Sequence, residues 1–188
     1  LSLQFGENVL AETQAYQLHI TDKSDLAGLP EGTIEAAHSL AKSQEKEGWI
    51  FTLDYPSYVP FVTYADNREL RKKMAIAFGA KGFQNNEFDN QEIVLKIAKL
   101  RFDRAQVLGY ATHAHFVLEE RMAESPEKVK TFSNDLLEKA KSAALKEFAQ
   151  LTAFAKELDG IDHLEKWDGA YYSEKLKQKL FSLDDEIL

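Results

Sequence analysis

The sequence contains no cysteine in its 188 residues, and it is poor in the residues that interrupt helices. The absence of cysteine excludes disulfide bonds, a thiol nucleophile and a thiolate metal site. Glycine and proline number 9 and 4, about 7% of the chain together, whereas an average soluble domain has about 12%. This scarcity favours long helices and argues against a barrel or sandwich with many short turns.

Long apolar runs and an excess of positive charge are also missing. No stretch approaches the roughly 18 consecutive apolar residues of a membrane span, and nothing resembles a signal peptide. The chain carries 23 lysines and arginines against 31 aspartates and glutamates, a net charge of −8. Because nonspecific binding to nucleic acid needs clustered basic residues, the sequence predicts neither a nucleic-acid nor a membrane partner.

The two ends of the chain predict that these residues are a piece of a longer protein. The first residue is Leu1 rather than an initiator methionine. At the other end, Ser182 and the acidic residues after it are typical of the start of a helix. No internal repeat, low-complexity tract or linker separates the two ends, so residues 1–188 are interpreted as a single helical segment without an internal domain boundary.

Apolar residues recur at helical spacing along most of the chain, which predicts a mainly α fold of about seven helices. Ser125 followed by Pro126 is a typical helix start, and the longest apolar run follows it. Asp66 and Asp89 each precede a glutamate by three residues, the spacing of a capping box. The predicted helices cover residues 3–19, 31–47, 66–78, 89–108, 112–122 and 125–159, with a last one beginning near residue 168.

One short strand is predicted among these helices, at residues 49–53, where Trp49 begins an aromatic and β-branched run whose pairing partner is not visible. Gly48, just before it, is interpreted as the residue that stops the second helix. Residues 55–61 follow as an aromatic segment interrupted by two prolines, outside the predicted helices.

Five histidines are the natural candidates for metal or acid–base chemistry. None is followed by glutamate, so the zinc-protease motif H-E-x-x-H is absent from the chain. His115 and Glu119 share a helix face, but no third ligand is in register, so a capping or ion-pair role is favoured over a metal site. G-x-S-x-G, glycine-rich phosphate loops and EF-hand loops are absent too.

Two aromatic clusters combine large apolar area with polar groups, at residues 49–58 and 167–172. Such a composition suits the wall of a peptide-binding cleft as well as a core. Core packing is the favoured interpretation, because aromatic side chains dominate the buried area of any domain.

Many ordered blocks of the sequence resemble the middle of the M3 family of zinc oligopeptidases, and within it the peptidyl-dipeptidase and oligopeptidase A branch. The resemblance extends over nearly the whole chain. One departure is Gly169, where the family commonly has a bulky residue after Trp-Asp. The matching blocks are residues 7–10, 25–30, 48–54, 56–61, 64–71, 87–90, 100–101, 108–110, 117–123 and 167–175.

The resemblance implies a mostly helical, two-lobed metallopeptidase with a deep channel that admits short peptides. In that family the zinc lies on an H-E-x-x-H helix, which follows the region matched here, so this chain is expected to contribute no catalytic residue and no metal ligand. Zinc is expected in the full-length parent and not in this piece. The residues expected to line the substrate cleft are Trp167, Asp168, Tyr171 and Tyr172.

The leading hypothesis is therefore a helical piece of a peptidyl-dipeptidase or oligopeptidase that acts on oligopeptides and is inactive alone. The alternative is a non-catalytic peptide-binding or scaffolding module derived from the same fold. Helix faces that the rest of the parent would cover are expected to drive dimerisation. A cytoplasmic location is favoured over a periplasmic one.

Overall fold

A computed structural model describes residues 1–182 of the chain and confirms a mainly α fold. The described part contains eight α-helices, one 3₁₀ turn and two short strands. In chain order they are α1 (Ser2–Ala15), β1 (Leu18–Ile20), the 3₁₀ turn (Lys23–Leu26), α2 (Glu31–Ser43), β2 (Trp49–Phe51), α3 (Tyr55–Tyr64), α4 (Arg68–Gly79), α5 (Gln91–Val107), α6 (His113–Leu118), α7 (Pro126–Asp159) and α8 (Gly169–Phe181).

The predicted strand finds its partner in residues that the sequence pattern assigned to the first helix. Strands β1 and β2 pair antiparallel, with His19 opposite Ile50. Two of the three residues of β1, Leu18 and His19, fall within the predicted helix because Leu18 continues the apolar spacing of α1. The pairing with β2 is a tertiary contact between distant parts of the chain, and it ends α1 at Ala15.

Helix α2 ends earlier than predicted, and Gly48 has a different role. The helix stops at Ser43, and Glu45 takes the left-handed conformation that closes its end, with φ 56°. Gly48 lies beyond it at φ 91°, where an added Cβ would be 2.3 Å from the carbonyl oxygen of Ile20. The glycine is needed here because the backbone approaches strand β1 closely.

The two predicted capping boxes are wrong in detail. Helix α4 is capped by Asn67, whose side-chain oxygen accepts from the amides of Glu69 and Leu70 at 3.0 and 3.2 Å. The carboxylate of Asp66 instead accepts a hydrogen bond from the hydroxyl of Tyr171, far along the chain. Asp89 accepts from the amide two residues later rather than three, at 2.8 Å, which is an Asx turn.

The aromatic segment after β2 also forms a helix, α3, which the sequence pattern left unassigned. Pro56 occupies the first turn, where proline is tolerated because the amides there have no partner in the helix. Pro60 lies further along the same helix. Phe61 is completely buried and packs edge-on against Phe51 of β2, with ring centroids 4.7 Å apart. This packing supplies the tertiary stabilisation that the local sequence did not indicate.

Two apolar clusters form the interior of the part of the chain that the structure describes. The larger one joins the two strands to α2, α3 and α4, and it includes Phe51, Phe61 and Met74. The smaller one lies between the end of α7 and α8, around Phe154 and Tyr172. Helix α8 packs against both α7 and α3, so it connects the two clusters.

Helix α7 begins and ends as predicted, but most of its length is exposed in the part of the chain that the structure describes. Ser125 caps it by accepting from the amide of Lys128 at 3.2 Å, and Gly160 ends it in the left-handed conformation. Every residue from 127 to 150 is exposed. The predicted helix start at the end of the chain lies outside the described residues, apart from Ser182, which ends α8 with φ 52°.

Candidate functional site

The four residues expected to line a cleft meet at the start of α8, around the carboxylate of Asp168. This carboxylate is fully buried and precedes the first residue of α8. It accepts two hydrogen bonds from Arg68, from Nε at 2.9 Å and from Nη2 at 2.7 Å. The amide of Glu165 donates to it at 2.9 Å, and Nη2 of Arg71 lies 3.4 Å away. The carboxylate thus joins the loop before α8 to the first turn of α4.

Arg71 is the second centre of this cluster and is 1% exposed. Its Nη1 donates to the carbonyl oxygens of Ala65 and Asp66 at 2.7 and 3.1 Å, and its Nε donates to that of Trp167 at 3.3 Å. Its guanidinium lies 3.8 Å from the centre of the Tyr171 ring. A buried cation with this many partners fixes α4, the α3–α4 turn and α8 relative to one another.

The pKa of Asp168 is set by opposing effects. Burial by itself raises the pKa of this carboxyl, because the charged form loses water. The hydrogen bonds from Arg68 and from the Glu165 amide, together with the charges of Arg68 and Arg71, outweigh burial and hold the pKa below its usual value. Asp168 therefore stays ionised and contributes to the ion pair down to acidic pH.

The two tyrosines of α8 are buried and donate to carboxylates at the edge of the cluster. Tyr171 donates to Asp66 and Tyr172 to Asp159, each at 2.8 Å. Burial, followed by the hydrogen bond and charge of the acceptor, raises both pKa values, that of Tyr172 to about 12. The hydroxyls are thus held as donors and are poorly suited to act as bases near neutral pH.

Trp167 is the least enclosed of the four predicted residues. Its indole is half-buried, with the guanidinium of Arg68 and the ammonium of Lys72 at 5.9 and 5.3 Å from the ring centre. Its Nε1 is buried and has no hydrogen-bond acceptor among residues 1–182. Gly169, two residues later, is the first residue of α8, and an added Cβ there meets no heavy atom within 4 Å. The glycine is therefore not required by packing within the described residues.

An open depression of about 520 Å³ lies beside this cluster, between the α3–α4 turn, the end of α7 and α8. We call it the α8 depression. It combines apolar side chains with charges of both signs and the two tyrosines. Its lining consists of Asp66, Arg68, Arg71, Leu158, Asp159, Ile161, Tyr171, Tyr172 and Lys175.

Comparison with known proteins decides the family. The sequence model of peptidase family M3 matches residues 61–188, about two thirds of the chain, and this range includes the whole cluster around Asp168. This chain belongs to peptidase family M3. The resemblance inferred from the sequence blocks is confirmed.

Individual relatives match this chain over its whole length. Oligopeptidase A of Salmonella typhimurium and that of Escherichia coli are each 43% identical to it over 192 residues, which covers 100% of this chain. Dipeptidyl carboxypeptidase of Escherichia coli is 26% identical over 189 residues, again 100% of this chain. The chain spans 28% of the length of each of these relatives.

The part of this M3 chain that the structure describes offers no set of metal ligands. No group of three or more histidine, aspartate or glutamate side chains is placed to hold an ion in residues 1–182. Nδ1 of His115 lies 2.8 Å from the hydroxyl of Thr112, and Glu119 accepts from the hydroxyl of Tyr110. His115 and Glu119 therefore do not form a binding site for the zinc that the family implies. No described helix is long and apolar enough to cross a membrane.

Sequence reasoning found the acceptor of the buried cluster and missed its donors. Asp168 was singled out with its aromatic neighbours, whereas Arg68 and Arg71 appeared only within a matching block. The available signal was their spacing of three residues in the first turn of a predicted helix, which places both on one face. Lys175, one turn beyond Tyr171, lies 3.4 Å from the carboxylate of Asp66 and was missed as well.

Proposed function

We propose that this chain is a helical, non-catalytic part of a zinc-dependent M3 metallopeptidase that hydrolyses short peptides. The observation that carries the proposal is the 43% identity to two oligopeptidases A, which extends over every residue of the chain. Because the chain covers 28% of those enzymes and contains no H-E-x-x-H sequence, this proposal assigns the zinc site and the catalytic groups to polypeptide outside these 188 residues. Zinc, where bound, would activate water and polarise the scissile carbonyl.

The cluster around Asp168 has a positioning role in this proposal. It fixes the first turn of α8 on α4 through two arginines, one of them 1% exposed. Tyr171 and Tyr172 are then held rigidly at the α8 depression, whereas Trp167 lies outside its lining, beside Arg68. We propose that the depression and the neighbouring Trp167 form part of the substrate cleft. Asp168 itself is fully enclosed and supports the wall without reaching the substrate.

A segment exchange tests the function directly. The corresponding segment of Escherichia coli oligopeptidase A is replaced by this chain, and hydrolysis of a fluorogenic oligopeptide is measured with and without a chelator. We expect a folded chimera with chelator-sensitive activity within about tenfold of the parent, because the exchanged helices carry no catalytic group. A chimera that folds and binds zinc but hydrolyses no peptide would contradict the proposal.

The 188-residue chain alone is expected to be inactive. It contains no H-E-x-x-H sequence, which supplies two zinc ligands and the general base of such enzymes. The measurement is hydrolysis of the same oligopeptide by the purified chain in excess zinc, with oligopeptidase A as the positive control. Chelator-sensitive turnover by the chain alone would refute this part of the proposal.

The alternative function, a peptide-binding or scaffolding module without catalysis, is favoured by one observation. The α8 depression already has charged and apolar walls within this chain. The chimera distinguishes the two functions. A chain that serves only as a binding or scaffolding module would not support peptide hydrolysis when it replaces the corresponding segment of oligopeptidase A.

We further propose a cytoplasmic location and self-association through α7. Two relatives from Arabidopsis thaliana, each 34% identical over 201 residues, are named "Probable cytosolic oligopeptidase A" and "Organellar oligopeptidase A, chloroplastic/mitochondrial", and both names support a location inside the cell over a periplasmic one. Val129, Phe132 and Leu136, spaced three and four residues apart on one face of α7, are 40–69% exposed, and an apolar face of this kind favours association of the isolated chain. Light scattering over a range of concentrations tests it, and a monomer at every concentration would contradict it.

A further inference from the structure

Another open depression, of about 550 Å³, is lined by the start of α1, one face of α5 and the first residue of α6. We call it the α5 depression. Its lining from α5 and α6 consists of Ile97, Leu100, Arg101, Arg104 and His113. The four α5 residues recur at helical spacing and therefore lie on one face of the helix. This face combines an apolar strip with two positive charges.

Arg101 and Arg104 have no counter-charge in the described part of the chain. Both residues are exposed, and neither guanidinium has a carboxylate within ion-pairing distance there. Because they are three residues apart on a helix, the two positive charges are neighbours and repel each other. Arg68 and Arg71 have the same spacing on α4, but they share the carboxylate of Asp168, which comes from a distant part of the chain. The pair on α5 lacks such an anion.

The guanidinium of Arg104 is held in place while its hydrogen-bond donors stay free. It lies 4.5 Å from the ring centre of Phe116 on α6. Such a contact uses the face of the guanidinium and leaves the N–H groups at its edge available for an acceptor. Nδ1 of His113 is buried and has no hydrogen-bond partner among residues 1–182. Since a buried polar atom without a partner costs free energy, this region lacks a polar partner within the described residues.

Helix α5 also exposes apolar side chains outside the depression. Leu95, Phe102 and Val107 are 50–86% exposed, whereas the buried residues of the helix are Ile93 and Ala105. Apolar residues on most sides are typical of a helix that other polypeptide covers. A small anion could balance the two arginines, but it could not cover these side chains. The occupant of this face is therefore a polypeptide rather than an ion.

We propose that a segment of the parent peptidase outside these 188 residues docks on α5, with a carboxylate at Arg101 and Arg104 and apolar side chains on Ile97 and Leu100. This inference rests on the proposed function. Because the chain spans 28% of the length of the two oligopeptidases A, such an enzyme has further polypeptide to supply the segment. An acidic side chain suits the arginines, and apolar neighbours suit the strip beside them.

Amide hydrogen exchange, measured by mass spectrometry in the 188-residue chain and in the oligopeptidase A chimera, tests the interface. We expect the amides of residues 94–107 to exchange at least about tenfold more slowly in the chimera, because docking opposes local opening of α5. Leu100 and Arg101 belong to a block that resembles the family, so the oligopeptidase A part should present the matching carboxylate.

Arg101→Gln should remove most of this protection in the chimera. In the isolated chain, where Arg101 has no partner, the same substitution should change exchange by less than about twofold. Lys99→Gln is the matched control, because the partner of Lys99 is Asp103 on the same helix, at 2.7 Å. Its effect on exchange should therefore be the same in both proteins.

Equal exchange of α5 in the folded chimera and in the isolated chain would overturn the proposal, as would equal effects of Arg101→Gln and the control. Protection of the isolated chain by about 10 mM phosphate would assign the arginines to a small anion instead. Protection that rises with the concentration of the isolated chain would assign the face to a second copy. Either of these results would also overturn the proposal.

The result is separate from that of the segment exchange, because hydrogen exchange is measured without hydrolysis. An active chimera with an unprotected α5 refutes only the interface. An inactive chimera whose α5 is protected in a manner that depends on Arg101 refutes only the peptidase assignment.

Discussion

Asp168→Asn keeps the shape of the side chain but removes the negative charge that faces two arginines inside the protein. The asparagine can still accept one of the hydrogen bonds that Arg68 now donates at 2.9 and 2.7 Å. Arg68 is 33% exposed and can recover water, whereas Arg71 is 1% exposed and cannot. The variant therefore leaves a buried guanidinium without its counter-charge.

The expected cost follows from this geometry. Removing one partner of a buried ion pair costs about 3–5 kcal/mol, and the remaining hydrogen bonds favour the lower end, about 3 kcal/mol. At about 2–4 °C per kcal/mol for a chain of this length, the unfolding midpoint should fall by about 6–12 °C. Since total stabilities are about 5–15 kcal/mol, such a loss is readily measured.

Urea unfolding followed by far-ultraviolet circular dichroism is the assay, with Asp103→Asn as the control. Asp103 pairs with Lys99 at 2.7 Å, but both side chains are exposed, so its replacement should cost less than about 1 kcal/mol. The lowered pKa of Asp168 means that its contribution is present above the usual aspartate pKa and is lost as the pH falls through the lower folded value. The difference between wild type and variant should therefore shrink in strong acid. If the two variants lose equal stability at neutral pH, the reasoning about this cluster is wrong.

Other predictions concern backbone, tyrosines and helix exposure. Gly28→Ala should lower the free energy of unfolding in urea by more than about 1 kcal/mol, because Gly28 has φ 85° and an added Cβ would lie 2.2 Å from the carbonyl oxygen of Tyr64. Gly6→Ala, in open space on α1, should raise it by up to about 1 kcal/mol. Equal effects of the two substitutions would contradict the argument. The raised pKa of Tyr172, about 12, supplies stability that is complete below about pH 10 and is lost as the pH rises towards 12, so wild type should lose more unfolding free energy over that interval than Tyr172→Phe. Trypsin at low concentration should cut first within residues 127–150, as seen by mass spectrometry, because every residue there is exposed. A first cut elsewhere would contradict this reasoning.

The parts of the fold that were predicted correctly depend on neighbours in sequence. Ser125 and Gly160 mark the ends of α7 because capping and the left-handed turn involve only a few adjacent residues. Thr112 likewise caps α6 by accepting from the amide of His115. These signals act over one helical turn, so the sequence contains all the interacting groups. The family was equally accessible, since the order of its blocks is a property of the sequence.

The errors arose where a side chain or backbone group has its partner far along the chain. Asp66 has the spacing of a cap, but its carboxylate is taken by Tyr171 and Lys175 on α8. Asp168 stands at a helix start and makes no side-chain cap, because its oxygens face Arg68 and Arg71. In each case a stronger charged or buried partner outcompetes the local amide.

The sequence by itself determined the helical class, the helix ends that local caps define, the membership of family M3 and the absence of H-E-x-x-H from these residues. The tertiary structure decided which strand pairs with β2, and that Asp168 is the centre of a buried ion pair rather than a surface residue. It also decided that residues 127–150 of α7 are exposed within the described part of the chain. The physical reason is range: helix propensity and capping act within a turn, whereas burial and ion pairing depend on which distant groups the folded chain brings together.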